Sequence, residues 1–219
     1  MKSLGWKTII ATAAVTSLAG LAVAAAPTQA ASPVVGSAHV HTAGGSQAHT
    51  ALSPRALAAL PLTNRHLTRH EIANLAVVLN AYHVAEGKSL DVPAFVDSFA
   101  EDGVFNDEVA GKTYQGKALG DVLPYMANLF PDVHRDLKRI TVNGDVVSLE
   151  LSIQGTFEGP LRTPAGTVEP TGAKVDAPTA DFWYLHNGKV EKFNCYVGYT
   201  KMYSDMGVNL DWASAVDKH

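Results

Sequence analysis

A single cysteine, Cys195, in 219 residues leaves no partner for an intramolecular disulfide and excludes a cysteine-built zinc site. Charge is sparse: 17% of residues are Asp, Glu, Lys or Arg, and no long basic run accompanies the net charge of −4. Nucleic-acid binding therefore has no electrostatic footprint. Gly116-Lys117 lacks the glycine spacing of a phosphate loop. No set of side chains has metal-ligand spacing, so neither a metal nor a cofactor is expected. What the chain does have is 47% hydrophobic residues, 8% of all residues being aromatic. That suffices to bury the core of one domain carrying an appendage.

The appendage lies at the N-terminus. Lys2 and Lys7 precede an uncharged stretch from Thr8 to Ala26, and Thr28-Gln29-Ala30 follows with small-x-small spacing. Residues 1–31 read as a secretory signal peptide cleaved after Ala30 or Ala31. The competing reading, an uncleaved anchor, is disfavoured because alanine is a weak membrane residue. Removal leaves 15 Lys+Arg against 21 Asp+Glu, a balance of −6, on an extracellular protein without stable membrane association. Residues 32–66 are Ala, Ser, Gly, Thr, Pro and His, and read as a disordered linker with a short helix near residues 55–60. His39, His41 and His49 in it are expected to be solvated. The folded domain is expected over 67–212, with a tail at 213–219.

Within that domain Thr68 and Glu71 make a capping box, with Leu67 and Ile72 as its hydrophobic staple. Ile72, Leu75, Ala76, Leu79, Tyr82 and His83 then share a helical face, and Gly87 ends the run. His66 lies outside this helix, so its four-residue spacing from His70 is not a metal pair. Asp91-Val92-Pro93 opens a second helix, with Phe95 and Phe99 inward and Gly103 after its end. Residues 118–130 form a third, which Pro124 either starts late, near Asp121, or kinks. From Val147 to Gln154 apolar and polar residues alternate, the mark of a strand with one buried face. Asn143-Gly144 and Asn187-Gly188 are hairpin signals. Helices followed by long antiparallel strands give an α+β class.

The second hairpin decides which residues share a face. A two-residue turn pairs His186 with Lys189 and sets Phe193 and Cys195 beside Phe182 and Tyr184. A type I turn with a bulge at Gly188 pairs Leu185 with Lys189. The bulged turn is preferred, because it gathers Asp181, Trp183, Leu185, Phe193, Cys195, Val197 and Tyr199 on one face. Lys189 and Glu191 join that face near the turn, where it opens to water. Asp181 is then a carboxylate on an apolar wall.

Several stretches, in order, carry a resemblance. They are Phe99-Ala-Glu-Asp-Gly-Val-Phe-Asn-Asp107, Tyr114-Gln-Gly-Lys117, Leu129-Phe-Pro-Asp132, Gly155-Thr-Phe-Glu-Gly-Pro160 and Pro170-Thr-Gly172. Ala180-Asp-Phe-Trp-Tyr-Leu-His-Asn-Gly-Lys-Val190 and Met206-Gly207 complete the set. Together they resemble the SnoaL-like, polyketide cyclase-like branch of the nuclear transport factor 2-like superfamily, over roughly residues 70–210. The resemblance implies a cone of three helices packed on a curved antiparallel sheet, enclosing an apolar pocket. It also implies a homodimer through the outer sheet face. Family members include cyclases, isomerases, dehydratases, hydrolases and proteins without a known reaction, so fold alone does not give the activity. By position, Asn106 matches a polar pocket residue of the cyclases and Asp181 a pocket position often filled by His or Asp. The cyclases' acid/base aspartate falls on Cys195.

Asp181 is the candidate general base, since burial against Trp183 and Phe193 raises a carboxyl pKa. The structural alternative is a carboxylate satisfied by a buried hydrogen bond. Asn106 is the candidate for orienting a carbonyl and Asp107 for a second acid/base group, although turn chemistry also explains an Asn-Asp pair. Tyr82, Tyr114, Tyr125, Trp183, Phe193 and Cys195 are the candidate ligand-contacting residues. The expected partner is a small apolar carbonyl compound, either transformed by acid/base catalysis or held by a non-catalytic binding protein. An interaction module using the outer face around Tyr184 and Tyr196 is the third reading.

Overall fold

The computed structural model describes residues 52–208. The expected signal peptide, most of the linker and the tail lie outside them. Among the described residues no helix is long and apolar enough to cross a membrane. A short helix, α1 (Pro54–Ala59), precedes α2 (Arg69–His83), α3 (Val92–Asp97), β1 (Phe99–Asp107), β2 (Lys112–Gln115) and α4 (Leu119–Leu129). There follow β3 (His134–Asn143), β4 (Val146–Thr156), β5 (Leu161–Thr163), β6 (Gly166–Val168), β7 (Lys174–His186), β8 (Lys189–Val197) and α5 (Tyr199–Asp205). Six strands form one sheet in the order β2-β1-β8-β7-β4-β3, and β5-β6 is a separate hairpin.

The capping box forms as expected: Thr68 accepts from the Glu71 amide while Glu71 accepts from the Thr68 amide. Glu71 also accepts the Gly144 amide at 3.1 Å, tying the start of α2 to the β3–β4 turn. The buried face of α2 is rotated from the expected one. Asn74, Leu75, Val77, Val78, Ala81 and Tyr82 are buried, whereas His83 is exposed. Asn74 is the reason the apolar count misplaced the face: its amide donates to the Gly144 carbonyl at 3.1 Å and to Asp145 at 3.2 Å.

Two further expectations need correction, both about helix ends. The second helix stops at Asp97, and Phe99 and Gly103 belong to β1, where Gly103 lies against the carbonyl of Val190; a Cβ there would approach it to 2.5 Å. The third helix runs through Pro124 from Leu119, so a late start is excluded. The sheet is antiparallel except where β1 pairs with β8, which is parallel. Residues ahead of α2 also reach the sheet. The Ile140 amide donates to the Pro61 carbonyl at 2.9 Å, and Asn64 bonds both ways with the backbone of Val142. These contacts cover the open edge of β3, whose unpaired backbone groups would otherwise be a template for another strand.

The β7–β8 hairpin resolves the register question by a route the turn residues did not announce. His186 pairs with Lys189 across a two-residue turn, with Asn187 and Gly188 at φ 50° and 74°. These are the positive angles of a type I′ turn. The slip comes later: Leu185 pairs with Val190 but Tyr184 with Lys192, leaving Glu191 as the extra residue of a bulge. Asp181, Trp183, Leu185, Phe193, Cys195 and Val197 are therefore buried on one face, as the preferred register required. Val190 joins them, while Lys189 and Glu191 do not. Tyr199 begins α5 instead of extending the strand.

The bulge yields a test. Glu191→Ala should change stability by no more than about 0.5 kcal/mol, since Glu191 is exposed. Deleting Glu191 should leave a cooperative thermal melt, because the pairs Leu185–Val190, Tyr184–Lys192 and Trp183–Phe193 are all kept. Deleting both Glu191 and Lys192 sets Phe193 opposite Tyr184 on the outer face and should abolish it.

Candidate functional site

Strand alternation builds one wall of a cavity row by row. Tyr114, Phe105, Phe193 and Trp183 are successive register partners on β2, β1, β8 and β7. Their rings stack in sequence: centroids are 5.5 Å apart for Tyr114–Phe105, 4.6 Å for Phe105–Phe193 and 3.7 Å for Phe193–Trp183. Tyr82, from α2, meets Trp183 edge-on at 5.4 Å and closes the series. Two residues along each strand, the next inward row reads Lys112, Asp107, Cys195, Asp181. An aromatic row thus lies beside a row bearing two carboxyl groups with a thiol between them.

The enclosed space is about 320 Å³. Tyr82, Tyr114, Tyr125, Trp183, Phe193, Cys195, Asp107 and Asp181 all line it, joined by Asp121, Arg135, Tyr199 and Tyr203. Tyr125 and Tyr203 are exposed, 54% and 37%, which puts the mouth beside them. Asn106 is the expected site residue that the fold does not bring to the cavity. Phe105 and Asp107 face inward, so Asn106 between them faces outward, where it donates to Asn194 at 2.9 Å and accepts from Thr113 at 2.8 Å. That polar ladder runs across the outer faces of the same three strands.

Asp181 is 2% exposed and carries the sharpest electrostatics. The Tyr82 hydroxyl donates to its Oδ2 at 2.6 Å, and Trp183 Nε1 donates to the Tyr82 oxygen at 2.9 Å. The direction of this chain is set by the indole, which can only donate. Asp181 Oδ1 has no partner, alone among the buried polar side-chain atoms of the described residues. Loss of hydration pushes the Asp181 pKa up to about 6, against the opposing effects of the Tyr82 hydroxyl, the Cys195 thiol beside it and the Arg135 charge. Burial, then the neighbouring Asp181 carboxylate, hold the Cys195 thiol and the Tyr82 hydroxyl well above their ordinary ranges. Cys195 is therefore a wall residue and not a thiolate nucleophile.

Asp107 differs from Asp181 in having both oxygens engaged. Tyr199 donates to Oδ2, and the Ala110 amide to Oδ1 at 3.0 Å. Burial and then that hydrogen bond to Asp107 keep the Tyr199 hydroxyl protonated. The Tyr114 hydroxyl has no hydrogen-bond partner among the described residues. Tyr199 and Arg135 were missed in the sequence for different reasons. Tyr199 looked like the end of a strand, whereas it starts α5 after Gly198. Arg135 sits in His134-Arg135-Asp136-Leu137-Lys138-Arg139, whose charges hide any alternation. No group of three His, Cys, Asp or Glu side chains among the described residues is placed to hold a metal ion.

The comparisons agree with this architecture. Residues 79–193, just over half of the chain, match the sequence profile of the SnoaL-like domain. No curated protein matches at a significant level. A Jannaschia protein assigned as a SnoaL-like polyketide cyclase superposes with a TM-score of 0.56 at 18% identity, covering 67% of this chain and 100% of its own. AclR from Streptomyces galilaeus, assigned as a hydroxylase, gives 0.54 at 18%, covering 63% and 97%. A ketosteroid isomerase-like protein from Catenulispora acidiphila, solved with trimethylamine, gives 0.50 at 19%, covering 60% and 92%. At these identities the likeness establishes the fold, which is ketosteroid isomerase-like.

The raised carboxyl makes stability depend on pH in a definite direction. An unfolded aspartate ionises near about 3.9, whereas native Asp181 holds its proton to about 6. Between those values the native state binds more protons, so stability is full below pH about 4 and falls as pH rises through 6. The loss is about 3 kcal/mol. Asp181→Asn should melt higher than wild type at pH about 8 and no higher at pH about 4, as read by calorimetry.

Proposed function

The chain belongs to the SnoaL-like domain family, and we propose that it is an exported acid/base enzyme of the cyclase or isomerase type. Its substrate is a small, largely apolar carbonyl compound. The observation that carries this reading is the half-satisfied Asp181 carboxyl, buried in the wall of an aromatic cavity. A pKa of about 6 leaves Asp181 mostly ionised at neutral pH, yet able to hold a proton transiently.

Each group then has one task. Tyr82, anchored by Trp183, occupies Oδ2 and fixes the carboxylate plane. Oδ1 is left to take an acidic proton from the carbon next to the substrate carbonyl. The electron pair moves onto the carbonyl oxygen, giving the enolate. Protonated Asp181 returns the proton, either to a different carbon in an isomerisation or to the oxygen formed by ring closure in a cyclisation. The aromatic row supplies apolar surface for the rest of the substrate. Cys195 stands where the resemblance puts the cyclases' acid/base aspartate, so proton transfer falls to Asp181 directly across the strand pair.

Deuterium incorporation into a panel of enolisable cyclic ketones in D2O tests this. Wild type should exceed the buffer rate, with the rate rising as pH passes about 6. Asp181→Asn should lose at least about 100-fold. Equal rates for the two proteins would make the cavity a non-catalytic container, and native mass spectra would then show both retaining the same apolar molecule.

A further inference from the structure

Arg135 lines the same cavity as Asp181, where its charge favours the Asp181 carboxylate without touching it. It enters from β3, in register with Ile153 on β4, and its side chain is only 10% exposed. A guanidinium carries five N–H donors and cannot shed its charge. Only one hydrogen bond engages it here, from Nη1 to the Ala85 carbonyl at 2.7 Å. Glu86 is its ion-pair partner, but both Glu86 oxygens take their hydrogen bonds from other groups than the guanidinium. Its Oε1 accepts the backbone amide of Arg135 at 3.0 Å, and its Oε2 meets His134 Nδ1 at 2.8 Å. The separation of Nη1 from Glu86 Oε1 is 3.8 Å, beyond a hydrogen bond. The guanidinium therefore retains N–H groups without a protein partner among the described residues.

We propose that Arg135 anchors a carboxylate of the substrate, so that the cavity takes enolisable keto acids in preference to neutral ketones. This deepens the acid/base reading, on which it rests for the cavity being the substrate site. The planar fork of arginine matches a carboxylate through two parallel hydrogen bonds, and a site closed to bulk water strengthens them. The two poles are fastened to one stretch of chain. Tyr82 bonds Asp181 and Ala85 bonds Arg135, three residues further on. Arg135 pairs with Ile153, which pairs with Ala177, four residues before Asp181 on β7. At ordinary strand dimensions the two Cα atoms are about 15 Å apart. Arg135 extends by roughly half of that along its side chain, which leaves several carbon–carbon bonds between anchor and base. A keto acid with its carbonyl two or three carbons from the carboxylate fits that gap, with its apolar body on the aromatic row.

Calorimetric titration of the full-length protein with 3-benzoylpropionate and with its methyl ester tests the anchor directly. Wild type should bind the acid at least about tenfold more tightly than the ester. Arg135→Gln should bind the two alike, with ester affinity unchanged. Arg135→Lys, which keeps the charge and loses the fork, should retain only part of the preference. Asp181→Asn should keep the whole of it, because anchoring precedes proton transfer. Equal binding of acid and ester by wild type, binding of neither, or a preference that survives in Arg135→Gln would overturn the proposal. If Arg135→Gln does not fold, an undiminished preference in Arg135→Lys would overturn it. Carboxylate preference without deuterium exchange in the wild type would sink the acid/base reaction and leave the anchor standing.

Discussion

Side chains alternate across a strand, so the relative register of β7 and β8 determines which of their residues see the cavity and which see water. The type I′ turn at Asn187-Gly188, carried on without interruption, would set Phe193 opposite Phe182 and turn one of the two strands inside out. One extra residue, Glu191, absorbs the mismatch. Beyond it Trp183 faces Phe193 and Asp181 faces Cys195, and the parallel pairing of β1 extends both rows to Phe105 and Asp107. The aromatic row, the row of carboxyl groups and the outward Asn106 ladder all follow from that single insertion.

Asp181 sits on this frame at a thermodynamic disadvantage. A buried carboxylate with one donor and one unpartnered oxygen is less stable than the same group in water, which is why its proton is held to a higher pH. The surrounding stack of Tyr114, Phe105, Phe193 and Trp183 offsets the cost with buried aromatic surface and favourable ring geometry. Asp107, a strand pair away on the same row, has both oxygens engaged by Tyr199 and Ala110. Two carboxyl groups of one cavity are thus set in unlike surroundings, one with a free oxygen and one with both oxygens engaged.

Much of this was legible in the sequence, and the failures have local physical causes. The Thr68 capping box, the alternation of β4 and the shared face of Asp181, Trp183, Phe193 and Cys195 were all readable, because each rests on spacing along one or two elements. The place of the bulge was not, since Glu191 carries no backbone signature and Gly188 offered a more familiar position. Asn106 was misplaced because a motif position says nothing about strand parity; its neighbours Phe105 and Asp107 take the inward face. Arg135 was invisible because its strand is charged on both faces and its depth comes from Ile153, eighteen residues later in the chain. The attachment of Pro61 and Asn64 to β3 likewise depends on an edge nearly eighty residues away.

The chemistry of the cavity depends on the carboxyl group inside its wall. The difference infrared spectrum between wild type and Asp181→Asn, followed as a function of pH, isolates the stretch of that one protonated carboxyl. The band should be present in mildly acidic solution and vanish with a midpoint near about 6, as burial dictates. A band that disappears near the ordinary aspartate value of about 3.9 would place Asp181 in contact with water and contradict the site described for it.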